Sequence, residues 1–113
     1  MARVEILEDL KEEVIKKFKA ESKIIFKLMH SLGENSSKGK ILGQIAGIVI
    51  KELKYKSFRF YFITDGQKLR VMDDSNLVDL LIRFVKMSDK KDQQETIDEI
   101  KRILQKFGSK GFN

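Results

Sequence analysis

Seven residues in the middle of the sequence have types and spacing suited to holding a phosphate backbone: Lys51, Lys54, Lys56, Arg59, Tyr61, Lys68 and Arg70. Lysine and arginine neutralise phosphates, and a tyrosine ring offers a face on which a base can stack. Arg59 and Tyr61 are two apart, as are Lys68 and Arg70, so on strands each pair shares one face. Covalent chemistry has few candidates. His30 is the single histidine and stands among Leu28, Met29 and Leu32, where a cap or surface role is its ordinary use. Without cysteine there is no thiol nucleophile, no disulfide and no thiolate metal site. Asp73 and Asp74 are adjacent, so from a strand end they point different ways; they suit the positive end of a helix better than acid–base catalysis. No carboxylate cluster has metal-ligand spacing, and no glycine loop matches a phosphate cradle. The expectation is a non-enzymatic protein with no metal and no cofactor.

The element that must position the cationic residues is a β-hairpin over 57–72. Asp65-Gly66 lies between two alternating runs, Ser-Phe-Arg-Phe-Tyr-Phe-Ile-Thr and Gln-Lys-Leu-Arg-Val-Met. Asp-Gly in that setting signals a type I′ turn, whose two central residues both need positive φ. A two-residue turn fixes the register. One face then carries Phe58, Phe60, Phe62, Leu69 and Val71 and is core; the other carries Arg59, Tyr61, Ile63, Lys68, Arg70 and Met72. A basic ribbon of this width fits a major groove. The competing reading covers Tyr61, Ile63 and Met72 with the terminal helix and lets Arg59, Lys68 and Arg70 snorkel to solvent.

Helices are expected around the hairpin. Residues 3–32 carry two apolar stripes, Leu7, Leu10, Val14 and Phe18, then Ile25, Leu28, Met29 and Leu32. The stripe breaks over Lys19–Lys23, so either one long helix runs through or two meet there. A single helix of that span would be about 45 Å long, more than so small a domain can cover, and would call for a partner chain. A second helix is expected over 37–54, with Gly39, Gly43 and Gly47 at spacings of four on one face. The β-branched stretch 45–50 is the alternative strand. Residues 76–87 read as a helix apolar nearly all round, hence buried. Asp92 and Glu95 start a last helix, Ile97, Ile100, Ile103, Leu104 and Phe107 stripe it, and Gly108 ends it.

The 113 residues suffice for one domain, with 109–113 a frayed tail. The net charge of +6 is uneven: residues 1–15 sum to −3, residues 16–56 to +7 and residues 57–113 to +2. A concentrated positive field suits an anionic partner. No apolar run approaches the roughly 20 residues of a membrane span, and the acidic start is no secretory signal, so no membrane is involved and the cytoplasm is the expected location. A surface rich in lysine and glutamate, without cysteine, is also a thermophile composition.

The sequence therefore suggests an α+β fold, mostly helical, in the order α-(α)-α-β-β-α-α, with a central antiparallel hairpin packed on helices. Its function is read as nucleic-acid binding, to DNA or RNA, through the 16–56 region and the outer hairpin face. The alternative is a protein-interaction or assembly module. A homodimer is expected, its interface made from Gly39, Gly43, Gly47, Leu7, Val14 and Phe18.

Overall fold

The computed structural model describes residues 2–35, 38–66 and 80–112. The chain begins with a short strand, β1 (Arg3–Ile6), and two helices, α1 (Glu8–Phe18) and α2 (Ser22–His30). Strands β2 (Lys40–Ile45), β3 (Ile48–Tyr55), β4 (Phe58–Asp65) and β5 (Leu81–Asp89) follow, then helix α3 (Gln93–Phe107). The five strands form one mixed sheet in the order β1-β5-β4-β3-β2, with β1 parallel to β5 and the other pairings antiparallel.

This corrects the mostly helical fold with a central hairpin that the sequence suggests. The strand over 57–64 is real, but its turn partner is different. Lys56-Ser57 joins β3 to β4, with Tyr55 opposite Phe58. Both edges of β4 are occupied: Phe62 pairs with Lys51 on β3 and with Phe84 on β5. No edge remains for an Asp65-Gly66 hairpin, and residues 67–72, its expected second strand, lie outside the described residues. Gly66 instead donates its N–H to the Gly47 carbonyl at 2.8 Å.

The helix expected over 37–54 is two strands. A glycine every four residues fits a helix face, but four is even and fits a strand face equally. The chain reverses at Ala46-Gly47, where φ is +52° and +82°, so β2 and β3 form a hairpin. The apolar stretch read as a helix over 76–87 supplies β5 from Leu81 onward. It lies between two neighbours and buries Ile82 and Phe84 on one face and Val85 on the other, so its apolar run carries no clean alternation, and periodicity cannot tell such a strand from a buried helix.

The helical expectations at the two ends fare better. The interruption at Lys19–Glu21 is a 3₁₀ turn, with Lys19 at φ +51°, so the segment forms two helices, α1 and α2, and not one rod, while its first residues, Arg3–Ile6, expected to be helical, pair with β5 as strand β1. The partner chain that a long helix required is therefore not required. Helix α3 follows the expected stripe, burying Ile97, Ile100 and Leu104, and stops at Gly108 with φ +65°. Asp92 makes no side-chain cap; its own N–H bonds to Asp89 Oδ1 at 2.8 Å. The tail expected to fray turns back in a 3₁₀ turn and buries Phe112.

Two cores result, one on each side of the sheet. Leu10, Val14, Ile25, Met29 and Leu32 from the helical pair pack on Leu53, Phe60, Phe62, Ile82 and Phe84. On the opposite side Ile97, Ile100, Leu104 and Phe112 pack on Ile50, Tyr61, Ile63 and Val85.

Candidate anion-binding groove

On the α3 side, the sheet's apolar surface stops short of the ends of β3 and β4. Cross-strand pairing sets two polar rows there. Lys40, Glu52, Tyr61 and Lys86 stand opposite one another across β2, β3, β4 and β5, and Lys54, Arg59 and Ser88 form the next row. Directly opposed residues lie on the same face, so alternation along each strand brings these groups together.

An open groove of about 620 Å³ lies over these rows, lined by Lys38, Gly39, Lys40, Glu52, Leu53, Lys54, Arg59 and Gln93. Among the described residues, four cations and one carboxylate face it. Lys38, Lys40 and Lys54 are exposed and make no ion pair among the described residues. Gly39 lets the chain lie this close to β3 and β4: its φ is +104°, and a Cβ would fall 3.2 Å from the Glu52 carbonyl oxygen and 2.8 Å from Phe62 Cζ.

Arg59 is the unusual member. It is 7% exposed, yet its Nε has no hydrogen-bond partner among the described residues. Its Nη1 donates to the Phe58 carbonyl at 3.2 Å, and its Nε is 3.9 Å from Glu52 Oε1. A guanidinium carries five donors, and carboxylate pairs ordinarily close to about 2.8 Å. Glu52 Oε2 instead accepts from Gln93 Nε2 at 3.0 Å. Lys86 pairs with Glu99 of α3 at 3.1 Å, outside the groove lining.

No protein-family model, curated protein or solved structure matches this chain. Its function has to be read from its own residues.

Of the cationic residues singled out in the sequence, Lys54 and Arg59 line the groove. Tyr61 is fully buried between α3 and the sheet and hydrogen-bonds Ser88 Oγ at 2.7 Å, with burial first among the causes that raise its pKa. It is no stacking platform. Lys51 points to the opposite side, 2% exposed, with Nζ 5.8 Å from the Phe62 ring centre, and burial pushes its pKa down. Lys56 sits in the β3–β4 turn and pairs with Glu21. Lys68, Arg70, Asp73 and Asp74 lie outside the described residues. Among the interface candidates, Val14 is fully buried in this chain's own core, while Leu7 and Phe18 are partly buried against it. Gly39, Gly43 and Gly47 do not share a helix face, because Gly43 is in β2 and Gly47 in the turn after it. His30 is exposed at the end of α2.

Lys38 and Lys40 fall inside the 16–56 region without being singled out, and Glu52 and Gln93 are missed by sequence reasoning, because these groups meet only across β2, β3 and the start of α3. One signal was present. Reading 48–55 as a strand puts Ile50, Glu52 and Lys54 on one face, and a turn at Lys56-Ser57 then sets Lys54 opposite Arg59. Among the described residues no group of three or more histidines, cysteines or carboxylates is placed to hold a metal, and no helix is long and apolar enough to cross a membrane.

Proposed function

We propose that this chain binds nucleic acid through its phosphates, at the groove between β2, β3, β4 and the start of α3. The observation that carries the reading is the gathering of Lys38, Lys40, Lys54 and Arg59 around one open groove with, among the described residues, a single carboxylate, Glu52. No aromatic ring lines the groove among the described residues, so the contacts are to backbone and not to stacked bases. Binding of this kind is insensitive to sequence and sensitive to salt. With about three or four phosphates neutralised, affinity for a duplex falls roughly 40- to 150-fold between 50 and 200 mM salt. Fluorescence anisotropy with labelled duplex DNA, single-stranded DNA and RNA at several salt concentrations tests this. No binding at 50 mM salt, or a salt slope near zero, would sink it.

A second reading, an interaction module that pairs with a second copy of the chain, has support in one observation. Among the described residues β2 is an edge strand, and its Ile41 is 62% exposed. Light scattering on the eluting protein decides it: a monomer at all concentrations ends this reading, and a dimer lost on Ile41→Lys substitution upholds it.

A further inference from the structure

Glu52 sits in a place where a ligand's phosphate would be expected, yet it does not close on the arginine beside it. Its side chain is 7% exposed and that of Arg59 is 9% exposed, and 3.9 Å separates Glu52 Oε1 from Arg59 Nε. A buried charge pair left at that distance forgoes the hydrogen bonds that make burial tolerable. The local geometry supplies the reason. Gln93 is the first residue of α3, and Asp89 fixes the approach to that helix by accepting the Asp92 N–H. From that anchored position Gln93 Nε2 takes Glu52 Oε2 at 3.0 Å.

We propose that Glu52 is a built-in competitor for the ligand's phosphate, and that Gln93 is the positioning residue that holds it back and keeps Arg59 open to the groove. A phosphate entering past Lys38, Lys40 and Lys54 meets a guanidinium whose Nε is unused among the described residues. It can meet that guanidinium where Arg59 lines the groove without first breaking a closed ion pair, and draw out an Nε that is shielded from solvent in the free protein. When Gln93 is lost, Glu52 closes on Arg59, and the phosphate must displace a buried carboxylate. The retained carboxylate keeps binding weak enough to reverse. This rests on the reading of the groove as a phosphate site, and the probes separate the two.

The experiment uses the full chain and follows the Arg59 Nε–Hε cross-peak in ¹⁵N spectra during titration with inorganic phosphate, beside oligonucleotide anisotropy. In the wild type, phosphate shifts that peak. Gln93→Leu is expected to weaken both phosphate and oligonucleotide binding by about three- to tenfold, and Glu52→Gln to strengthen both by a similar factor. The decisive comparison is the double variant. With Glu52→Gln in place, Gln93→Leu should have no further effect, because there is no competing charge to restrain. An equal Gln93→Leu effect in both backgrounds overturns the positioning role, as does an Arg59 peak unmoved by phosphate while the oligonucleotide binds. A phosphate-dependent shift without oligonucleotide binding overturns the nucleic-acid reading and leaves the Arg59 site standing. Thermal melts of every variant confirm that the fold is kept.

Discussion

The two faces of the sheet are built on different principles. Under α1 and α2 the strands present Leu53, Phe60, Phe62, Ile82 and Phe84, and the packing is apolar, with Phe62 and Phe84 ring centres 4.9 Å apart. Under α3 the apolar cover is partial. Ile50, Tyr61, Ile63 and Val85 are shielded, and beside them Glu52, Arg59 and Lys54 are left to the groove. The same strands supply both faces, because successive side chains alternate. Among the described residues the α1–α2 face holds one buried lysine, Lys51, against the Phe62 ring, whereas the α3 face gathers its charges where the helix cover ends.

The strongest challenge to that contrast is truncation on the dry side. Phe60→Ala, at a fully buried ring, is expected to cost about 3–5 kcal/mol in denaturant unfolding. Lys54→Ala, on the groove side, should stay within about 0.5 kcal/mol of wild type. Comparable losses from the two would erase the distinction. Binding should show the reverse order. The double change Lys38→Glu, Lys54→Glu is expected to weaken oligonucleotide binding at 50 mM salt by on the order of tenfold or more, with an unchanged melting temperature. An unchanged affinity would remove the groove from consideration.

Two smaller effects test the joints between the faces. Gly47 stands in the β2–β3 turn with φ +82° and open space around its Cβ position, so Gly47→Ala isolates backbone strain and should cost about 1 kcal/mol. Ala46→Gly, at φ +52° in the same turn, should stabilise by about 0.5 kcal/mol, since the native conformation suits glycine. The smallest effect concerns Glu21, which joins the helical layer to the β3–β4 turn. The hydrogen bond from Lys56, and after it that from Tyr55, lowers the Glu21 pKa below 4.5. A carboxyl depressed in the folded state stabilises fully above its unfolded pKa, and that share is lost as pH falls through the folded value. Acid unfolding of Glu21→Gln against wild type should therefore differ slightly at pH 6 and converge at the acid end. The reverse trend would place the link in the wrong charge state.

Legibility in the sequence followed the same division. Helix α3 could be read because an exposed face keeps the 3.6-residue period intact, and the interrupted stripe over Lys19–Lys23 left one helix or two open, which the 3₁₀ turn decides. Strand β4 could be read from Phe58, Phe60 and Phe62, and the burial of Phe60 and Phe62 agrees with the core face assigned to it. What failed were elements whose signal is shared by two structures. Strand β5 buries apolar residues on both sides, Ile82 and Phe84 on one and Val85 on the other, and glycines at an even spacing stand before, within and after β2. The turns misled as well: Asp65-Gly66 has the usual hairpin residues but ends β4, while Ala46-Gly47 and Lys56-Ser57 make the hairpins. The groove was half visible for the same reason. Arg59 and Lys54 were noticed as charges, but Glu52 and Gln93 gain meaning only after β3 is a strand and α3 starts beside it.

The parallel pairing of β1 with β5 carries a consequence for how the chain reaches this structure. Arg3 lies beside Leu81 and Ile6 beside Phe84, so the first strand made has no partner until nearly the whole chain exists. Contacts so distant in sequence raise the loop-closure entropy at the folding barrier and slow folding relative to a meander of neighbouring strands. During synthesis β2, β3 and β4 can zip together in order, whereas β1 waits. Strand β5 is the keystone: until it seats between β4 and β1, the N-terminal strand lacks its sheet partner and the sheet remains incomplete.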